Sequence, residues 1–308
     1  MQVTVIIPTY NRHDRVAQAI ESVLTQTHQD FELLVVDDGS NDHTSEIINR
    51  YKDKRIRAFY HTANYGQNAA LNTGVVNARG ELIAFNDSDD MLAPNYIERF
   101  LLKFREDSEL SCVYSKRYLF KTQTKEQKIA MNFWAEGYIY DIVLAQGFMS
   151  HMGTLMVKRE CFKKTGLFDI YFTNHQDDDF CFNLARHFKV GLIPEPLAVE
   201  MNYGLGDRVT DNRDSYCLGF ERLIEKHKSD IIKVCGHSGY INHKIKAAEL
   251  RIRNNNPDEA YRHLNDSKYL MNKFGEVPSR LNRIIRNKPA SQRRIAACYS
   301  HLAGAKKD

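Results

Sequence analysis

At 308 residues, with 43% hydrophobic and 27% charged side chains, the chain is long enough for one large globular domain plus an appendage. No stretch approaches 18 consecutive apolar residues, so no membrane-spanning helix is expected. The net charge of +4 hides a split: residues 215–308 carry 19 Lys or Arg against 9 Asp or Glu, whereas 1–214 are net negative, so the two parts are expected to meet different partners.

The first segment, Val3-Thr4-Val5-Ile6-Ile7-Pro8, is a continuous apolar run ending at a proline, as in a buried parallel strand. It lacks the positive flank and long apolar core of a secretory signal. Arg15–Thr27 has the helical spacing Val16, Ala19, Ile20, Val23, Leu24. Phe31–Val36 is a second strand, and Asp42 or Thr44 caps a helix through Ile47, Ile48 and Tyr51. Arg55–His61 is a third strand. Gly66–Ala78 is a helix closed by Gly80, and Glu81–Phe85 a fourth strand. Pro94 precedes a helix over Tyr96–Phe104.

Further on, Leu110–Phe120 and Gly153–Val157 read as strands, Lys121–Lys128 as a hairpin or loop, and Gly166–Asp169 as a turn. Asp179–Phe188 is a helix, Val190–Pro194 a short strand, and Asp207–Asp214 a polar loop. From Tyr216 the pattern is helical, with breaks at Gly236–Gly239 and Asn254–Pro257. The six cysteines are scattered without a C-x-x-C pair, which reads as reduced thiols rather than a zinc site.

The order β-α-β-α-β-α-β argues an α/β sheet whose ligands bind beyond the carboxyl ends of the strands. Polar clusters fall at those ends: Thr9-Tyr10-Asn11-Arg12, Asp37-Asp38-Gly39-Ser40, His61 to Gly66, and Asp87-Ser88-Asp89-Asp90. The last packs three carboxylates into four residues. That pattern suits either an acidic turn or a hard divalent cation holding a diphosphate. The chain has no G-x-G-x-x-G after its first strand and no G-x-x-x-x-G-K-[ST], which disfavours a dinucleotide-binding Rossmann domain and a P-loop NTPase.

The strings Val5-Ile6-Ile7-Pro8-Thr9-Tyr10-Asn11-Arg12, Ser22-Val23-Leu24-Thr25-Gln26-Thr27, Val35-Val36-Asp37-Asp38-Gly39-Ser40, Asn64-Tyr65-Gly66, Asn72-Thr73-Gly74 and Phe85-Asn86-Asp87-Ser88-Asp89-Asp90 resemble glycosyltransferase family 2. The likeness is dense over about residues 3–105 and weaker over 150–210. It implies a GT-A fold, α/β with a mostly parallel central sheet, over 1–214, divided into a nucleotide-binding half (1–105) and an acceptor half (106–214). Residues 215–308 would form a basic helical region. It also implies a metal-dependent inverting transfer of sugar from a nucleotide-sugar, UDP-sugar favoured, to a hydroxyl of a glycan or lipid-linked acceptor in surface polysaccharide assembly. The cofactor would be Mn2+ or Mg2+, and no nucleic acid is expected.

The same resemblance assigns the donor to Pro8, Thr9, Tyr10, Asn11, Arg12, Asp37, Asp38, Asn64, Gly66, Asn68, Asp87, Ser88 and Arg208. Asp87-Ser88-Asp89 matches the D-x-D motif, with Asp89 the foremost metal ligand and Asp87 and Asp90 beside it. His151, Met152 and Gly153 would border the acceptor pocket. In His175-Gln176-Asp177-Asp178-Asp179-Phe180 the family pattern of Glu-Asp-x-Asp places the base at Asp177, with Asp178 the alternative, and Gln176 departs from the family's Glu. An acidic helix start favoured by the dipole accounts for at least one of these carboxylates. Gln176 is also the main support for the rival reading, a non-catalytic nucleotide-sugar or glycan-binding module.

The tail stretch 279–295 sets Arg280, Arg283, Arg286, Lys288, Arg293 and Arg294 around Leu281, Ile284, Ile285 and Ile295. It reads as a helix packed on the body or a second copy, or as a peripheral contact with an anionic membrane. The lone Trp134 and the missing Gln-x-x-Arg-Trp motif favour single addition over processive synthesis. The expected setting is the cytoplasm or the inner face of the cell membrane.

Overall fold

The computed structural model describes residues 2–130, 135–147, 149, 151–204, 206 and 211–275. The chain divides into two compact units, Met1–Tyr140 with Phe148–Gly206, and Asp141–Gly147 with Asp207–Asp308.

The first unit is built on a sheet that has nine strands among the described residues, in the order β3-β2-β1-β4-β8-β6-β9-β5, with β7 paired to β6. The strands are β1 (Val3–Thr9), β2 (Phe31–Asp37), β3 (Ile56–Tyr60), β4 (Leu82–Phe85), β5 (Met91–Leu92), β6 (Leu110–Lys121), β7 (Glu126–Ala130), β8 (Leu155–Lys158) and β9 (Lys189–Asn202). The pairs β3-β2, β2-β1 and β1-β4 are parallel, as continuous apolar runs linked by helices require. Beyond β4 the sheet is mixed: β8 is antiparallel to both β4 and β6, and β9 is parallel to β6.

Both faces of this sheet are covered, so every residue of β1, β2 and β4 is buried. Val3, Val5 and Ile7 pack with Val16, Ala19, Ile20 and Val23 of α1 (Val16–Leu24) and Ile97, Phe100 and Phe104 of α4 (Tyr96–Glu106). Ile48 of α2 (Thr44–Arg50) joins the same cluster. On the opposite face α3 (Gln67–Asn77) sits so close that a Cβ on Gly74 would lie 2.5 Å from Ile6 Cγ2.

Several elements differ from expectation. The strand expected over Val190–Pro194 is the 14-residue β9, which runs through Pro194 and Pro196. It does so because its register against β6 shifts between Ser115 and Lys116, leaving Pro194 and Glu195 outside the regular ladder. The helix expected from Asp179 starts at Gln176 and is α7 (Gln176–His187). It follows the short helix α6 (Phe162–Thr165). Helix α5 (Tyr140–Gln146) has no counterpart among the expected elements.

The second unit is helical in its described part. α8 (Arg213–Lys226) is capped by Asn212, whose side chain accepts from Ser215 N. α9 (Lys228–Arg253) breaks at Gly236, whose φ of 72° and ψ of 176° are closed to side-chain-bearing residues, at the expected glycine break. α10 (Pro257–Phe274) packs Ala260 and Leu264 against Ile241, Ile245 and Ala248 of α9. Among the described residues no helix is long and apolar enough to cross a membrane. The basic stretch 279–295 and Trp134 lie outside the described residues.

Gly39, in the turn after β2, has φ +73°, and an added Cβ would lie 2.5 Å from the Ala63 carbonyl carbon. Gly39→Ala therefore meets both left-handed strain and a backbone clash. It is expected to cost about 2–5 kcal/mol, read by urea denaturation. Wild-type stability in that variant would mean the 37–40 and 61–66 turns do not abut.

Candidate active site

The parallel register brings Thr9, Asp37 and Tyr60 level at one edge of the sheet. Phe85 stops opposite Ile6, so the chain leaving β4 turns along the last residues of β1. Pro8 and Thr9 are buried at this edge, and Thr9 Oγ1 has no hydrogen-bond partner among the described residues. Tyr10 is exposed.

The first two turns are laced together. Asn11, in the left-handed region at φ 50°, donates its backbone N–H to Ser40 Oγ (2.9 Å) and accepts from Asn41 N at Oδ1 (3.0 Å). Arg12 N donates to Thr44 Oγ1 (2.8 Å). Asp37 holds its own turn by accepting from Ser40 N (3.0 Å).

Asp38 has a different job. Only 2% exposed, it accepts from His61 Nδ1 (2.6 Å), Tyr65 N (3.0 Å) and Gly66 N (2.7 Å). Its carboxylate thus sits at the N-terminus of α3, where backbone donors and the helix dipole favour negative charge. Asn64 Oδ1 also accepts from Gly66 N (3.0 Å). Asn68 donates through Nδ2 to Asp169 O (2.8 Å) and Phe172 O (2.9 Å). Asn72 does the same to Phe168 O (2.8 Å), so α3 anchors the segment that leads into α7. The carboxylate of Asp38 and the amide of Asn68, both expected at the donor, are thus engaged in holding the loops of the site.

The acidic turn after β4 separates its three carboxylates. Asp89 Oδ2 faces Arg12 Nε at 3.7 Å. Asp90, 5% exposed, accepts from Met201 N (2.9 Å). Asp87 accepts from Gln67 Nε2 (3.0 Å), and its other oxygen lies 3.6 Å from His151 Nε2. Ser88 is buried between them in sequence. Ligand-type atoms of Asp87, Asp90 and His151 all lie within 4.8 Å of one another. Burial, and then the charges of Asp87 and Asp89, push the Asp90 carboxyl well above the usual carboxylate range.

His151 heads the short turn Met152–Thr154, in which Met152 and Gly153 are buried. Gly153 N donates to His151 Nδ1 (3.3 Å), which puts the ring proton on Nε2. In that tautomer His151 points a donor at Asp87. The pair best suited to a hard cation is Asp87 with Asp90, because Mg2+ and similar ions rest on one or two carboxylates and take their remaining oxygens from phosphate and water. The donor set therefore fits a divalent metal.

At the start of α7, His175 lies in the left-handed region (φ 61°) and donates from Nδ1 to Asp178 Oδ2 (2.7 Å). Asp178 is buried, whereas Asp177 is partly exposed. Burial, and then the charge of Asp178, push the Asp177 carboxyl up to about 7. Gln176 Nε2 donates to Gln67 Oε1 (3.2 Å). Arg208 lies outside the described residues. His61, Gln67 and His175 have no separate role in the sequence reading, because only the folded topology places them against Asp38, Asp87 and Asp178.

A family model described as glycosyl transferase family 2 matches residues 4–166. An uncharacterized glycosyltransferase of Methanocaldococcus jannaschii is 30% identical over 222 residues, covering 70% of this chain and 72% of its own. One from Rickettsia felis is 52% identical over 108 residues, 35% of this chain, a stretch that spans only 18% of that relative's length. Among solved structures, Staphylococcus aureus TarS 1–349 in complex with UDP-GlcNAc superposes with a TM-score of 0.67 at 16% identity, over 88% of this chain and 81% of that one. The mannosyltransferase PcManGT of Pyrobaculum calidifontis, in complex with GDP-Man and Mn2+, gives 0.58 at 17% identity, over 98% of this chain and 85% of that one.

Proposed function

The chain belongs to glycosyltransferase family 2 and has its GT-A fold, and from that premise we propose that it moves a sugar from a nucleotide-sugar to an acceptor hydroxyl with inversion at the anomeric carbon. The observation that carries this reading is the division of labour between the carboxylates of the turn after β4 and that of Asp177 at the start of α7, two segments linked through Gln67 and Gln176. Asp87 and Asp90 form a group suited to a metal and a diphosphate. Asp177, on a separate helix, has a carboxyl pushed up to about 7. A general base works best with a pKa near the working pH.

In this reading Asp177 takes the proton of the acceptor hydroxyl. The acceptor oxygen then bonds to C1 of the sugar. The bond from C1 to the diphosphate oxygen breaks on the opposite face, and its electron pair leaves with the nucleoside diphosphate. A bound Mn2+ or Mg2+ on Asp87 and Asp90, with Asp89 beside them, would neutralise the departing charge. Arg12 and Arg208 are the cations assigned near the diphosphate, since guanidinium groups match phosphate oxygens. The loops fixed by Asp38 and Asn11 would hold the nucleoside against Pro8, Thr9 and Tyr10. His151, Met152 and Gly153 remain assigned to the acceptor side.

The donor is taken as a UDP-sugar on the family likeness, and the acceptor as a glycan or lipid-linked glycan in surface polysaccharide assembly. The basic stretch 279–295 would place such an enzyme against the anionic inner face of a membrane, or join two copies. A thermal-shift panel of UDP-Glc, UDP-Gal, UDP-GlcNAc and GDP-Man, each with and without Mn2+, tests the donor. Ligands that bind only the native state raise its apparent stability. The expected result is a rise of several degrees with one UDP-sugar, larger with Mn2+. A response confined to GDP-Man would overturn the choice of base, and no response to any nucleotide-sugar would overturn the function.

A further inference from the structure

We propose that Gln67 and Gln176 form a polarised pair of amides that orients Asp87, and that glutamine stands at 176 because Gln67 stands at 67. The inference rests on the metal-site reading above. Gln67 is the first residue of α3 and Gln176 the first of α7. Gln67 Nε2 donates to Asp87 Oδ1 (3.0 Å), and Gln67 Oε1 accepts from Gln176 Nε2 (3.2 Å). Both helices are held where they are by other bonds: the start of α3 by Asp38, and the segment before α7 by Asn68 and Asn72.

Chemistry sets the direction of these two hydrogen bonds. An ionised Asp87 only accepts, so Gln67 must offer it the NH2 group. That turn of the amide leaves Gln67 Oε1 facing position 176, where only a donor satisfies it. Glutamine supplies one. A glutamate, the residue expected there from the family pattern, would as a carboxylate set an acceptor against an acceptor. If Gln67 flipped to donate to it, Gln67 Oε1 would meet Asp87 instead. One of the two bonds is lost in either arrangement. Gln67 and Gln176 are therefore positioning residues for Asp87, Gln67 acting on its Oδ1 and Gln176 acting through Gln67.

Removing such a supporting partner weakens metal binding by about tenfold to a hundredfold in comparable sites. The test is a cycle of four full-length proteins: wild type, Gln176→Glu, Gln67→Met and the double variant. The dissociation constant for Mn2+ alone is read from the electron paramagnetic resonance signal of the free ion, and a melting curve is taken for each. Methionine keeps the length of Gln67 without its polar atoms. The direct pull of a new carboxylate on the cation is present with either residue at 67, so it divides out. Gln176→Glu is expected to weaken Mn2+ about tenfold more with the native Gln67 in place than in the Gln67→Met background, with melting temperatures that do not follow this pattern. A ratio within about twofold of unity would overturn the amide pair while leaving the metal site standing. Absence of Mn2+ binding by the wild-type chain would overturn the metal site and this inference with it.

Discussion

Asp177→Asn is expected to lower kcat by about a thousandfold while leaving donor binding within a few-fold of wild type, because general bases contribute about 10²–10⁴. Asparagine keeps the shape and hydrogen-bonding reach of the side chain but cannot take the acceptor's proton. The pH profile adds a second check. The Asp177 carboxyl is pushed up to about 7 by burial first and by the charge of Asp178 second. A base must be deprotonated, so the rate should rise with pH to about 7 and then level. Asp178→Asn removes the neighbouring charge, which had raised the pKa. The acid limb should therefore move to lower pH, while His175 Nδ1 keeps an amide oxygen to donate to. A limb that moves upward, or a fully active Asp177→Asn, would take the base away from Asp177. If the wild type binds donor yet turns over no acceptor, and Asp177→Asn changes nothing, the chain is the non-catalytic module instead.

The first four strands are legible in the sequence because each obeys a local rule. β1, β2 and β4 are short apolar runs with both faces covered, and α1 between the first two carries a period-3.6 apolar stripe. Their parallel order alone is enough to put four polar turns on one edge. β9 reads as only five residues because Pro194 and Pro196 signal an end to local pattern, whereas the ladder with β6 passes them at a shift in register. α5 has seven residues and buries only Val143 and Leu144, too little for a periodic signal.

Within the site, what stays hidden in the sequence is set by pairing at a distance. His151 meets Asp87 because β8 runs antiparallel to β4, with Ala84 opposite Met156, so the turn before β8 lies beside the turn after β4. Met201 N reaches Asp90 because β9 pairs with β5, with Met91 opposite Val199. Spacing along the chain carries no trace of either contact. The D-x-D resemblance puts Asp89 foremost among the ligands, yet in the fold Asp89 turns to Arg12 while Asp87 and Asp90 converge. Three adjacent carboxylates look equivalent in a sequence. They become different once one of them is buried and another faces a guanidinium.

That difference predicts opposite signs for one substitution. Asp90 is 5% exposed and stands beside Asp87 and Asp89, so without a cation its charge is a cost to the fold. Asp90→Asn removes the charge and keeps an oxygen to accept from Met201 N. Metal-free Asp90→Asn should therefore melt higher than metal-free wild type, by about 2–4 °C if the relief is about 1 kcal/mol. The same change removes an anionic ligand, so the rise in melting temperature with Mn2+ and a nucleotide-sugar should disappear. Activity should fall by at least about a hundredfold, since metal and donor charge stabilisation are worth several kcal/mol. Asp89→Asn is the comparison: it should cost less in metal response, because Asp89 is engaged with Arg12. A metal response abolished by Asp89→Asn and kept by Asp90→Asn would restore Asp89 as the principal ligand. A metal-free Asp90→Asn that melts lower than wild type would show that its carboxylate is compensated within the protein, and that the cluster has no need of a cation.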